Sequence, residues 1–270
     1  MTFLESILLA FIEGITEFLP VSSTAHMIFA SSIMGNESDE FVKMFQVSIQ
    51  FGAILAVVWL FWKKFFDFSS FQFYFKLAWA VVPALILGKL FDDKIEAVLE
   101  KPIPIAVVLI LGGIILLGID SLFKNTTIDK EEDITVKKAI TIGFWQCVAM
   151  MPGTSRAAAS IIGGMQQGLT RKMAAEFSFF LAVPTMMAVT LYSVVLKDWT
   201  YKGEEVKGFE MITASSENIW MFLVGNIVAF AVAALAVKLF IQFIQKYGFI
   251  IWGWYRIVIG LILLVYFTIQ

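Results

Sequence analysis

The stretch Glu13-Gly-Ile-Thr-Glu-Phe-Leu-Pro-Val-Ser-Ser-Thr-Ala-His26 sets two carboxylates, three consecutive hydroxyls and the only histidine of the chain in surroundings as apolar as a bilayer interior. A charged side chain at the bilayer centre costs about 2.5 kcal/mol or more, so such a cluster persists where it faces a cavity, a partner or a substrate. Pro20 cuts the stretch, because it has no backbone N–H to donate. The apolar region from about 3 to 34 therefore reads as two half-helices meeting at a broken tip. A re-entrant hairpin of this kind is allowed at membrane depth only where its freed backbone groups line a cavity or are buried in protein. A second region, from about 137 to 168, is cut the same way at Met151-Pro152-Gly153.

Working outward, the 270 residues are 59% hydrophobic and 16% charged, against about 25% charged for a soluble domain. Six further apolar stretches, about 41–62, 73–91, 103–120, 173–196, 218–241 and 249–269, are long enough to cross as helices. The pattern predicts an all-α polytopic membrane protein forming a single membrane domain over 1–270, with six transmembrane helices and two re-entrant half-helix hairpins. The spans are too long for the alternating strands of an outer-membrane barrel. A net charge of -2 speaks against a nucleic-acid partner. Cys147, the one cysteine, reads as a packing residue. Met1-Thr-Phe-Leu-Glu5 lacks the basic start of a secretory signal and reads as mature membrane structure.

Pro20-Val-Ser-Ser-Thr-Ala25 matches Pro152-Gly-Thr-Ser-Arg-Ala157, and each is followed by three spans. Two repeats are expected, about 1–120 and about 135–270. A hairpin plus three crossings ends opposite to where it began, so the repeats are inverted and their tips face each other near the midplane. Lys63, Lys64, Lys76, Lys124, Lys130, Lys137, Lys138, Arg171, Lys172, Lys238 and Lys246 fall on connections of one side, which is predicted to be cytoplasmic. Glu37, Asp39, Glu40, Asp92, Asp93, Glu96, Glu100, Asp198, Glu204, Glu205, Glu210 and Glu217 mark the other side, where Lys43, Lys94, Lys101, Lys197, Lys202 and Lys207 dilute the bias. Trp59, Trp62, Trp252 and Trp254 suit an interfacial belt.

Glu13 and Glu17, four apart, share a helix face. So close in a low dielectric, they share a proton or hold a cation or an arginine between them. Ser22, Ser23 and Thr24 open the next half-helix, where free N–H groups and the positive dipole end attract an anion. His26 is expected on the face of Ser23, as an acid, a base or a nucleophile. At the second tip Gly153, Thr154 and Ser155 repeat the anion site, and Arg156 adds a fork that matches phosphate oxygens. The plainer readings are hydroxyls bonding back to carbonyls and Arg156 as a structural ion pair with Glu13 or Glu17. Glu176, Asn226 and Arg256 read as structural, with Arg256 snorkelling or paired. Ala157, Ala158, Ala159, Gly163 and Gly164 read as packing residues.

These residues, with Met151-Pro-Gly-Thr-Ser-Arg156 and Ala175-Glu-Phe-Ser-Phe-Phe-Leu-Ala-Val-Pro184, resemble the undecaprenyl-pyrophosphate phosphatase family, the bacitracin-resistance proteins, over nearly the whole chain. The resemblance implies a bacterial inner-membrane enzyme that hydrolyses undecaprenyl pyrophosphate, a polyprenyl pyrophosphate lipid, to undecaprenyl phosphate and inorganic phosphate for cell-wall synthesis. It also implies an inverted-repeat fold, an active site opening to the outer, periplasmic face, and a homodimer. The family's acidic pair falls on Glu13 and Glu17, its serines on Ser22 and Ser23, its histidine on His26 and its arginine loop on Ser155 and Arg156. Ala25 replaces the family's usual glycine, and Ala157-Ala158 its serine-glycine pair.

The expected chemistry has Arg156 and both helix N-termini holding the phosphates, with Ser22, Thr24, Gly153, Thr154 and Ser155 as substrate-binding residues. Ser23 attacks phosphorus while His26 and Glu17 handle protons. Glu13 positions Glu17 or, together with it, a divalent cation such as Mg or Ca. The close variant makes His26 the nucleophile and Ser23 a binding group. The competing class is a secondary transporter or flippase for an anionic or lipid phosphate, whose design also uses inverted repeats and broken helices.

Overall fold

The computed structural model describes residues 1–67, 71–99 and 101–269, and only the backbone of residues 92–94 and 96. Asp92, Asp93, Lys94, Glu96 and Glu100, counted above for orientation, thus lie outside the described side chains.

Thr2 starts helix α1 (Phe3–Thr16) with a reciprocal cap: its hydroxyl accepts from the Glu5 amide at 3.3 Å, and Glu5 Oε2 accepts from the Thr2 amide at 2.8 Å. The helix gives out ahead of Pro20, and α2 (Ser23–Met34) leaves the turn to end on the left-handed Gly35. α3 (Glu40–Ser48) and α4 (Gln50–Leu60) make one span interrupted at Ile49. The single turn α5 (Trp62–Phe65) precedes α6 (Phe71–Leu99) and α7 (Pro102–Leu122). α8 (Val136–Val148) and α9 (Arg156–Gln166) flank the second tip. α10 (Arg171–Leu191) widens into a π turn, Tyr192–Leu196, and leads to an antiparallel hairpin of β1 (Asp198–Tyr201) and β2 (Glu204–Lys207). α11 (Gly208–Thr213), α12 (Ser216–Tyr247) and α13 (Ile250–Ile269) complete the chain. Among the described residues, six helical stretches are long and apolar enough to cross a membrane: Glu40–Leu60, Phe71–Phe91, Pro102–Leu122, Arg171–Leu196, Ser216–Tyr247 and Ile250–Ile269. The protein is all-α and multi-pass, with span limits within a few residues of those predicted, apart from the longer C-terminal end of α12. The small β-hairpin was not anticipated; a polar loop of that charge offers no alternation to read.

Polar contacts sort the connections between two ends of the bundle. At one, the N-terminal amino group lies 3.5 Å from Asp39 Oδ2 and Asn36 donates to Glu5 Oε2 at 3.2 Å, so α1 starts where α2 finishes. At the other, Lys138 Nζ donates to Gln167 O at 2.7 Å, so α8 starts where α9 finishes. That second end also gathers Lys64 and Lys76 around Glu131, Arg171 on Asp120 at 2.7 Å, and the Phe249 amide on Asp120 at 2.9 Å. Lys76 is no solvated loop charge: it is 4% exposed and donates to Glu131 O and Glu132 O at 2.9 and 3.1 Å. Helices α1 and α8 thus start at opposite ends of the bundle, and the turns that follow them touch where Ser155 Oγ donates to Leu19 O at 3.4 Å.

Around the tips packs a phenylalanine-rich core, including Phe18 edge-on to Phe179 at 5.4 Å and Phe73 to Phe180 at 5.4 Å. α7 and α13 approach through glycine. A Cβ on Gly113 would sit 2.8 Å from Gly253 O, and one on Gly253 would sit 2.8 Å from Gly113 O. Gly113→Ala is therefore expected to overpack the crossing by about 1–3 kcal/mol and to lower the unfolding temperature in detergent. Gly118→Ala, with nothing nearer than Leu122 at 3.8 Å, should not lower it.

Candidate active site

Both tips end in the same local device. Ser22 (φ 69°) and Ser155 (φ 73°) cap α2 and α9 from the left-handed region, and their hydroxyls accept from the Ala25 and Ala158 amides at 3.4 and 3.2 Å. This equivalence makes Ser23 the counterpart of Arg156 and corrects the proline-based match, which had paired Ser22 with Thr154. The second tip has one more residue between proline and cap, taken up by Gly153 at φ 93°.

Between the tips lies a cavity of about 180 Å³. The first tip contributes Glu17, Ser22, Ser23 and Thr24, the second Pro152, Gly153, Ser155 and Arg156, and the spans add Gln50 and Thr185. A chain of hydrogen bonds crosses from one tip to the other. Ser23 Oγ donates to Glu17 Oε2 at 2.5 Å, and Arg156 Nη2 donates to Glu17 Oε1 at 2.9 Å. The ion pair is largely shielded, with side chains 13% and 8% exposed, so the bonds to it are charge-assisted. Arg156 is steadied by Nη1 donating to Ser178 O at 3.3 Å and by the Phe18 ring 5.7 Å away, while its Nε is buried without a partner.

Three expected site residues stand outside the cavity lining. Glu13 is 1% exposed beside Glu17, and its Oε1 has no hydrogen-bond partner. Thr154 offers its carbonyl elsewhere, to Arg256. His26 turns from Ser23: Nδ1–H donates to Ser22 O at 2.8 Å, and Nε2 meets Tyr255 Oη at 2.8 Å. For a divalent cation, Glu13 Oε1 is the carboxylate oxygen still free, since both Glu17 oxygens are engaged. Among the described residues no three acidic, histidine or cysteine side chains cluster to form a cage. The donor set therefore fits a cation that takes most of its ligands from phosphate and water, as Mg²⁺ does.

Arg256 does not snorkel, and among the described residues it pairs with no acid. It is 0% exposed and donates to four carbonyls: Leu109 O at 3.2 Å, Pro20 O at 3.0 Å, Thr154 O at 2.8 Å and Gly153 O at 2.9 Å. Broken helices leave carbonyls unbonded, and a guanidinium with five donors in a plane can serve both tips at once. Sequence reasoning also passed over Gln50 and Thr185. Their signal was their place: Gln50 follows the break at Ile49, and Thr185 follows Pro184 inside α10.

Two facing helix N-termini, a serine bonded to a carboxylate and a guanidinium between them define a membrane-embedded anion site equipped for group transfer. The sequence profile of the bacitracin resistance protein BacA family matches residues 6–262, and the chain belongs to that family. A relative from Flavobacterium psychrophilum named undecaprenyl-diphosphatase is 53% identical over 98% of this chain and 95% of its own length. Relatives of the same name from Porphyromonas gingivalis and Bdellovibrio bacteriovorus are 50% and 45% identical, each over 98% of this chain and 96% of their own. These names speak for a phosphatase and not for a transporter or flippase.

Arg256→Met is expected to strand its four carbonyl partners at about 1–3 kcal/mol per buried unsatisfied group. Thermal unfolding followed by tryptophan fluorescence should show a larger loss than Gly113→Ala, with Arg256→Lys intermediate.

Proposed function

We propose that this protein is an undecaprenyl-diphosphatase of the bacterial inner membrane, hydrolysing undecaprenyl pyrophosphate to undecaprenyl phosphate and inorganic phosphate and so returning the lipid carrier to cell-wall synthesis. The observation that carries the reading is the Ser23–Glu17–Arg156 chain at the meeting of two helix N-termini. Arg156, with the free N–H groups of α2 and α9, holds the phosphates. Ser23 Oγ attacks the terminal phosphorus and its proton passes to Glu17. The bond from that phosphorus to the bridging oxygen breaks, and Glu17 gives the proton to the departing undecaprenyl phosphate. Water then attacks the phosphoserine, yielding a proton to Glu17, which returns it to Ser23 Oγ. Glu17 supports this assignment over His26 because Glu17 already receives the Ser23 hydrogen bond, whereas His26 Nε2 is taken by Tyr255.

A divalent cation of the Mg or Ca class would be held by Glu13 Oε1 with substrate oxygens and water, and would add charge neutralisation at the phosphates. The hairpins are the re-entrant elements of two inverted repeats, 1–120 and 135–270, and the cavity opens to the periplasmic face. The lysine-rich end gathered around Glu131 and Asp120 supports placing that end in the cytoplasm. The homodimer rests on the resemblance, and crosslinking of purified protein reads it directly.

Purified wild type should release phosphate from a polyprenyl pyrophosphate, and Glu17→Gln, Ser23→Ala and Arg156→Ala should each lose at least about 100-fold. Rapid quench with peptide mass spectrometry should find the phosphoryl group on Ser23; finding it on His26 would reverse their roles, and a folded wild type without activity would end the phosphatase reading. For orientation, in a Cys147→Ser background, an impermeant thiol reagent should label Glu37→Cys on intact cells and Lys63→Cys only after lysis.

A further inference from the structure

His26 lies beside the cavity, yet both ring nitrogens are spent on other protein groups. Ser22 O can only accept, so Nδ1 carries the proton. In the neutral ring Nε2 is then an acceptor, and Tyr255 O–H donates to it. The two ring planes are nearly parallel, 6° apart with centroids at 5.7 Å, as an in-plane bond from the phenol to Nε2 requires, so Tyr255 fixes the imidazole through that hydrogen bond. Tyr255 stands next to Arg256, whose guanidinium holds Pro20 O. One turn of α13 therefore grips the first tip at two points.

The carbonyl that His26 holds belongs to the Ser22–Ser23 peptide; it accepts from the His26 backbone N–H at a long 3.4 Å and from the ring Nδ1–H at 2.8 Å, so the ring makes the shorter of the two bonds. In a trans peptide the C=O and the N–H point in opposite directions. Fixing Ser22 O against His26 therefore directs the Ser23 N–H away from the ring, along the open N-terminal end of α2. Ser22 and Ser23 line the cavity there. As the first helical residue, Ser23 has no intrahelical acceptor for that N–H.

We propose that His26 and Tyr255 act as a brace and not as an acid–base pair: they lock the Ser22–Ser23 peptide so that the Ser23 N–H is a donor to the oxyanion that develops on the attacked phosphate. Both are positioning residues. The proposal rests on the phosphatase reading for its kinetic consequence, and the tautomer it requires is measurable without turnover.

Asparagine can place its side-chain N–H close to the position of Nδ1–H but has no imidazole chemistry, so it separates the two roles. His26→Ala should lower kcat about 100-fold with little change in KM, as for loss of one oxyanion donor. His26→Asn should recover at least about tenfold of that loss, and the affinity for vanadate, a transition-state mimic, should fall and recover in parallel. Tyr255→Phe should lower kcat by less than His26→Ala. Because the chain holds a single histidine, its ¹⁵N spectrum in the full-length protein reports this residue alone, and the neutral form should be the Nδ1–H tautomer, losing uniformity in Tyr255→Phe. An Nε2–H tautomer in wild type, or an Asn variant as inactive as Ala in a wild type that turns over, overturns the brace. A wild type that releases no phosphate but shows the Nδ1–H tautomer strikes the phosphatase reading while upholding the brace.

Discussion

The structure turns on one buried cation. Broken helices inside a membrane are tolerable only when the carbonyls they free find donors, and Arg256 supplies donors to both breaks at once, Pro20 on one side and Gly153 and Thr154 on the other. Removing a guanidinium from water costs several kcal/mol even after relaxation. Here that cost is offset by the carbonyl dipoles of three segments, those of Leu109, of Pro20 and of Gly153 with Thr154. The surrounding glycines follow from the same requirement. Gly113 and Gly253 let α13 close on α7, and any side chain on Gly112 would fall on the guanidinium itself.

The tips that Arg256 joins are alike in backbone and unlike in chemistry. Each is a serine cap at positive φ opening a half-helix, so each presents free N–H groups to the same space. They diverge at the next residue, where the first tip carries the Ser23 hydroxyl and the second the Arg156 guanidinium. Two copies of one capping device thus face each other, and a single position in each breaks the likeness. Glu17 then links the two unlike residues through its two oxygens. Facing tips thereby bring a serine hydroxyl and a guanidinium to the lining of one small cavity, which neither half can do alone.

Much of this was legible in the sequence, for physical reasons. Span length and apolar continuity located the six crossings, and prolines at 20 and 152 located both breaks, because neither signal depends on tertiary contacts. Glu17, Ser23 and Arg156 stood out because polar groups in apolar helices are costly. What escaped depended on packing. The register between the tips hinged on how Gly153 spends its left-handed conformation, which a match on proline overlooks. His26 shares a helix with Ser23, but a ring that reaches Tyr255 on α13 is steered by a partner 229 positions away in the chain. Gln50, after the break at Ile49, and Thr185, after Pro184 within the continuous α10, looked like ordinary polar residues until packing placed them on the cavity. Arg256 was read by its neighbours in sequence, whereas its role is set by carbonyls from three other segments.

Two buried polar atoms at the site have no hydrogen-bond partner among the described residues, Arg156 Nε and Glu13 Oε1. Native interiors rarely leave such groups unsatisfied, and these two are of opposite kind: one is a charged donor, the other an acceptor on a second carboxylate. Arg156 keeps this donor spare while its other two nitrogens are committed, Nη2 to Glu17 and Nη1 to Ser178 O. Glu13 Oε1 is spare beside a Glu17 whose two oxygens are committed to Ser23 and Arg156. The spare donor and the spare acceptor thus take no part in the Ser23–Glu17–Arg156 chain, so a contact made to either one would leave that chain intact.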